Sequence, residues 1–193
     1  MSTTAIFAEI LIIGLQATVW IVLLVLSFLP KGSINPGALD GWEALTTVFV
    51  LAAAYTLGIV VDRIADSAYG WLRKIWDKEE KGKRKKNLPD VSIMRLRVME
   101  KEDGKARFID YQRSRLRVAR ATVLNVALVF LTGVFYLGRA DMSKPAIATF
   151  SVALLIVLAG SLFAAERIHR AYMNRLVEAY EMWKADAGKP AGP

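Results

Sequence analysis

The chain has 193 residues and a net charge of +8; it is 54% hydrophobic, yet 23% of its residues are charged and none is cysteine. Without cysteine there can be no disulfide framework, no thiolate metal site and no cysteine nucleophile. A mean hydropathy of +0.34 beside so many charges means that apolar and charged residues are segregated along the chain.

Residues 10–30, 44–61, 121–138 and 145–165 carry no charge at all. A helix rises about 1.5 Å per residue, so about 20 residues cross the ~30 Å hydrocarbon layer of a bilayer. One such block could be a buried core helix, but four in so short a chain could hardly all be buried in a soluble domain. The expected fold class is therefore an all-α integral membrane protein, a four-transmembrane-helix bundle.

The first span is expected at about 5–29, stopping at Pro30. The amino terminus has no basic residues, and the apolar block is too long for the core of a signal peptide, so it reads as a retained helix. Glu9, Gln16 and Trp20 share one face of it. After a turn-rich link containing Lys31, Gly32, Pro36 and Gly37, the second span is expected at about 42–65. Asp40 followed by Glu43 resembles a capping box, and Trp42 suits the aromatic belt at a membrane interface. Near its end, Gly58, Asp62 and Asp66 fall at i, i+4 and i+8, a stripe with two carboxylates at the edge of an apolar run.

Residues 67–117 differ in character, with 16 Lys/Arg against 8 Asp/Glu. Tyr69, Trp71 and Trp76, interleaved with Arg73 and Lys74, suggest a helix leaving the bilayer and lying along its surface. Lys81, Lys83, Arg84, Lys85 and Lys86 form a polybasic run suited to anionic lipid headgroups. Over 91–110 a hairpin and a pair of helices both fit; two helices around the Asp103-Gly104 turn are preferred. The whole segment is expected as a basic, mostly helical hairpin between spans two and three.

From Phe108 an arginine-rich helix (Arg113, Arg115, Arg117, Arg120) runs into span three at about 118–137. The short link 138–144 makes spans three and four antiparallel, with Ser143 as a cap and Pro145 in the first turn. Span four is expected at about 145–165. Ile168, Tyr172, Leu176 and Ala179 then recur at helical spacing in the tail. The organisation is thus a first hairpin of spans (1–66), a basic loop (67–117), a second hairpin (118–166) and an amphipathic tail (167–193). The links at one face balance Lys31, Arg139 and Lys144 against Asp40, Glu43 and Asp141, whereas 67–117 is strongly basic. By the positive-inside rule the loop and both termini face the cytoplasm, in a plasma or inner membrane.

That orientation gathers a charged layer at the cytoplasmic end: Glu9 from span one, Asp62, Arg63 and Asp66 from span two, Arg117 and Arg120 from span three, and Glu166, Arg167 and Arg170 from span four. Charges at span ends ordinarily snorkel to the interface and pair, fixing helix register. Alternatively they line an ion pathway, with Asp62 and Asp66 as its acidic wall. The deeper polar residues Gln16, Thr56, Thr122, Asn125 and Thr132 suit hydrogen bonds between helices. The pairs Ala54/Gly58, Gly160/Ala164 and Ser161/Ala165 would let spans two and four approach closely. His169 has no companion His or Cys and reads as a surface residue, so no metal site and no other cofactor is expected.

Gly58-x-x-x-Asp62-x-x-x-Asp66 is similar to the second half of the signature of the CDP-alcohol phosphotransferase family, in which a glycine and spaced aspartates hold metal ions and a diphosphate. Asp40-Gly41-Trp42-Glu43-Ala44 partly echoes the first half, with Gly37 in place of an aspartate and Leu45 in place of an arginine. Residues 40 and 66, however, would stand about 39 Å apart along one unbroken helix, so the two halves cannot share a metal. The chain is accordingly not expected to be an enzyme. The leading expectation is an oligomeric channel or pore-like conduit with an acidic cytoplasmic mouth, since four spans offer too little lining for a monomeric pore. The alternative is a membrane-anchored interaction or effector module that uses its basic loop and transports nothing. Expected partners are the bilayer, anionic headgroups and further copies of the chain, with no nucleic acid.

Overall fold

The computed structural model describes residues 3–30, 41–76, 88–99, 104–140 and 142–187. Among these the chain is entirely helical: α1 (Thr3–Phe28), α2 (Glu43–Trp76), α3 (Val91–Met99), α4 (Gly104–Arg139) and α5 (Lys144–Ala187). Four of the five are long and apolar enough to cross a membrane, over Ile6–Phe28, Glu43–Lys74, Phe108–Arg139 and Lys144–Ala185. The ambiguous stretch from 91 is helical at α3, and α4 has begun by Gly104. The polybasic run Lys81, Lys83, Arg84, Lys85 and Lys86 and the acidic cap Asp40 lie outside the described residues.

The helix ends follow local chemistry. At α2, Gly41 sits at φ 85°, in the left-handed region that favours glycine, and the Trp42 carbonyl accepts the first helical bond, from Thr46 N–H at 2.9 Å. Helix α5 opens at Ser143, whose carbonyl accepts from Ile147 N–H at 3.1 Å; Pro145 follows in the first turn, where it displaces no hydrogen bond. Helix α3 has nine residues, too short to hold in isolation. Its first bond runs from Met94 N–H to the Asp90 carbonyl, and Met94 and Val98, one turn apart, dock it on the rest of the molecule.

Helix α1 packs against both α2 and α4, which also touch each other; α5 packs on α4, and α3 lies on α5 and α4. The α1–α2 pairing has their backbones in contact. A methyl group on Gly14 would overlap the Ala54 carbonyl, and one on Gly58 would overlap the Ile10 carbonyl. Ala54 and Gly58 therefore serve the approach of span two to span one, and Gly14 is its counterpart on α1. By contrast, a Cβ on Gly160 would meet nothing within 4 Å. At the opposite end, Gly133 of α4 makes room for the Phe150 ring, 2.7 Å from where a Cβ would stand.

Two clusters hold the chain together. Ile13 and Ala17 of α1, Val61 and Ala65 of α2 and Ala121 of α4 form the one within the apolar bundle. The other joins Met94 and Val98 of α3, Ile109 and Leu116 of α4, and Tyr172, Leu176 and Ala179 of α5. Burying a side chain such as Met94 or Leu176 stabilises by roughly 1.5–3 kcal/mol. The regular tail spacing thus packs α5 against α3 and α4. Arg97 adds a cation–π contact over the Trp183 ring at 5.3 Å. The apolar half of α5 is different: no residue from 144 to 164 is buried.

Candidate functional site

Helices α2, α4 and α5 continue well past their apolar stretches, and the extensions gather at one end of the bundle, where α1 begins. The face of α1 carrying Glu9, Gln16 and Trp20 turns towards α4 along its length. Glu9 accepts a hydrogen bond from Ser114 Oγ and stands 3.8 Å from Arg117 Nη1. Deeper in the apolar region, Gln16 Oε1 accepts from Thr122 Oγ1 at 3.2 Å and from Asn125 Nδ2 at 3.4 Å. Asn125, 2% exposed, also donates to the Ile13 carbonyl and accepts from Trp20 Nε1, both at 3.1 Å. This node joins α1 to α4 and uses nearly all of the Asn125 amide. Thr56 and Thr132 instead bond the carbonyl four residues back in their own helices.

The two aspartates have different surroundings. Asp62, with a side chain 20% exposed, stands 3.6 Å from Arg117 Nε, so Arg117 is shared between Glu9 and Asp62. Asp66, 68% exposed, pairs with Arg120. Arg120 also lies over the Tyr69 ring, 5.1 Å from its centre. Tyr69 donates its hydroxyl to Glu166 at 3.1 Å, and Glu166 accepts from Arg170 one turn along α5 at 2.8 Å. Acids from α1, α2 and α5 are thereby tied to arginines of α4 and α5, while Arg63 and Arg167 are exposed.

Tyr69 departs from the sequence expectation. It is 6% exposed because α2 runs unbroken to Trp76 and turns this ring into the bundle; Trp71, 66% exposed, faces outwards. His169 departs likewise. It is buried, 6% exposed, with its ring 6.2 Å from that of Tyr69.

Between α2, α3, α4 and α5 at this end lies a cavity of about 530 Å3. Six arginines line it: Arg63 and Arg73 from α2, Arg95 from α3, and Arg113, Arg117 and Arg120 from α4. Asp62 and Asp66 are the acids in its wall, so the lining has four more positive charges than negative. Arg117 and Arg120 are the two already paired with those acids. Among the described residues, Arg95 and Arg113 make no salt bridge. The Arg95 Nε is buried and has no hydrogen-bond acceptor. Like charges gathered around one void repel each other, weakly at the exposed Arg63 and Arg113 and more strongly where water is excluded, and an entering counter-charge relieves that repulsion.

Part of this lining is visible in the sequence. Arg113, Arg117 and Arg120 recur at i, i+4 and i+7, which places them on one face of α4, with Arg115 turned away over the Tyr111 ring at 5.8 Å. Arg95 and Arg73 had no such signal; the docking of α3 and the straight course of α2 bring them in. Among the described residues no group of three or more His, Asp or Glu side chains converges as a metal ion would require.

Fold and site define a small helical protein with four helices able to cross a membrane and a basic, helix-walled cavity at one end of them. No protein-family model matches the chain, and no curated protein and no solved structure is significantly similar to it.

Proposed function

We propose that the chain is a membrane-anchored binding module. The apolar lengths of α1, α2, α4 and α5 hold it in a bilayer, and the charged end, facing the cytoplasm, receives its partner. The observation that carries this reading is that the charged end has its own core, centred on α3, and its own cavity. The aspartates proposed to line a pathway are engaged by Arg117 and Arg120. The mid-depth polar groups are spent on one another or on their own helices. Backbone contact along α1–α2 leaves no lumen between those two spans.

The chain has no cysteine of its own, so single introduced cysteines report topology without background. In intact cells Ser143→Cys is expected to react with an impermeant maleimide, and Met182→Cys only after lysis. The opposite pattern would turn the charged end away from the cytoplasm and sink this reading.

A conduit formed by several copies, with Asp62 and Asp66 at its inner mouth, is the second reading. What favours it is the unburied apolar half of α5, a surface available to another copy as well as to lipid. A chain that is monomeric in nanodiscs and gives no dye or ion leak in liposomes eliminates the conduit. A leak abolished by Asp62→Asn would establish it over the module.

A further inference from the structure

We infer that the arginine-lined cavity is a binding site for a phosphate group of at least two negative charges, a phosphate monoester or a diphosphate. This names the ligand class of the binding module proposed above and rests on that reading for its biological side.

Three helices contribute arginines to the lining of one void, and the two aspartates in its wall are already matched to Arg117 and Arg120. Arg95 and Arg113 supply two of the four excess charges and make no salt bridge among the described residues, and the Arg95 Nε is buried without an acceptor. A single carboxylate can face only one or two guanidinium forks in its own plane. A tetrahedral phosphate directs oxygens to several sides and accepts paired hydrogen bonds from arginines standing around it. A volume of about 530 Å3 exceeds what a bare phosphate fills and falls within the range of small-molecule sites. The cavity is reachable, because Arg63, Ser92 and Arg113 on its lining are exposed.

The phosphate can arrive on a soluble molecule or on a lipid. Arg63 also lines a shallow trough on the outer face of α2 with Ile64 and Trp71, an apolar strip along which an acyl chain can run while its headgroup enters the cavity. The two sources share their chemistry and differ in what must surround the protein.

The test uses the full chain in nanodiscs of phosphatidylcholine. In the first arm pyrophosphate is titrated against chloride at matched ionic strength. In the second, phosphatidic acid, a monoester, is compared with phosphatidylglycerol, a singly charged diester. Unfolding temperature and lipid retention in native mass spectrometry are the readouts. Pyrophosphate or phosphatidic acid is expected to raise the unfolding temperature by several degrees, with chloride and phosphatidylglycerol doing far less. A response to pyrophosphate assigns a soluble ligand, and a response to phosphatidic acid alone assigns a lipid. Arg95→Gln combined with Arg113→Gln should weaken binding by about tenfold or more. Without ligand the same variant should unfold no earlier than the parent, because it relieves like-charge repulsion; this separates lost binding from lost folding. Arg139→Gln, at the opposite end, should bind as the parent does. No response to either phosphate, or an unaltered response in the double variant, overturns the inference. Nanodisc binding does not depend on orientation in cells, so maleimide labelling can fail while this site stands, and the reverse.

Discussion

The two ends of α2 meet the molecule in opposite ways. Along its apolar half, small residues bring its backbone against that of α1, with Gly14 and Gly58 leaving no room for a methyl group. Along its charged half, long arginines of α2, α3 and α4 share one cavity. The first contact excludes everything, and the second leaves a volume with unspent positive charge. A helix can pack to contact where its side chains vanish, whereas like charges on long flexible arms keep neighbours apart unless a counter-charge enters. In the proposed binding module the close-packed half is the anchor and the open half the working end.

The largest expected effect comes from breaking the close-packed half. Gly14→Val should push α1 off α2 and destabilise the fold by about 3 kcal/mol or more, since the obstruction is main chain and cannot turn aside. Unfolding in mixed micelles of rising SDS content, followed by circular dichroism, measures it; a loss no larger than that of Gly160→Val, where space is open, would refute the account. Next comes the polar node. Asn125→Leu removes bonds to Ile13, Gln16 and Trp20 and should cost about 1 to 2 kcal/mol in the same assay.

At the charged end the expected effects are smaller. Tyr69→Phe takes the hydroxyl from Glu166 and should cost about 1 kcal/mol. Asp66→Asn should change stability by no more than about 0.5 kcal/mol, because the Asp66 carboxylate is largely in solvent. Asp62→Asn, at a more enclosed carboxylate beside Arg117, should exceed it; equal effects would mean that burial does not distinguish the two aspartates.

Much of the fold was legible without coordinates. Four uncharged blocks of bilayer-crossing length marked four of the five helices among the described residues. The recurrence of Glu9, Gln16 and Trp20 marked the face of α1 that meets α4. Gly14 was missed, although it lies on the same helix as those three. A lone glycine in an apolar run carries no partner information, and the stripes that looked strongest on α2 and α5 turned out to have unequal roles. His169 reads as a surface residue and Tyr69 as part of a helix along the bilayer surface, and both are buried because their neighbours come from other helices.

The sequence by itself determined where the four long apolar helices lie, which end carries the charge and that these four can cross a membrane, because these depend on composition and period within a single segment. Which helices touch, and that Arg73, Arg95 and Arg113 surround one void, was decided only in the tertiary structure. Those arginines are far apart in the chain, and their convergence depends on the docking of α3 through Met94 and Val98 and on the unbroken extension of α2 to Trp76. Neither leaves a periodic signal in any one stretch, so the cavity could be seen only once the helices were placed.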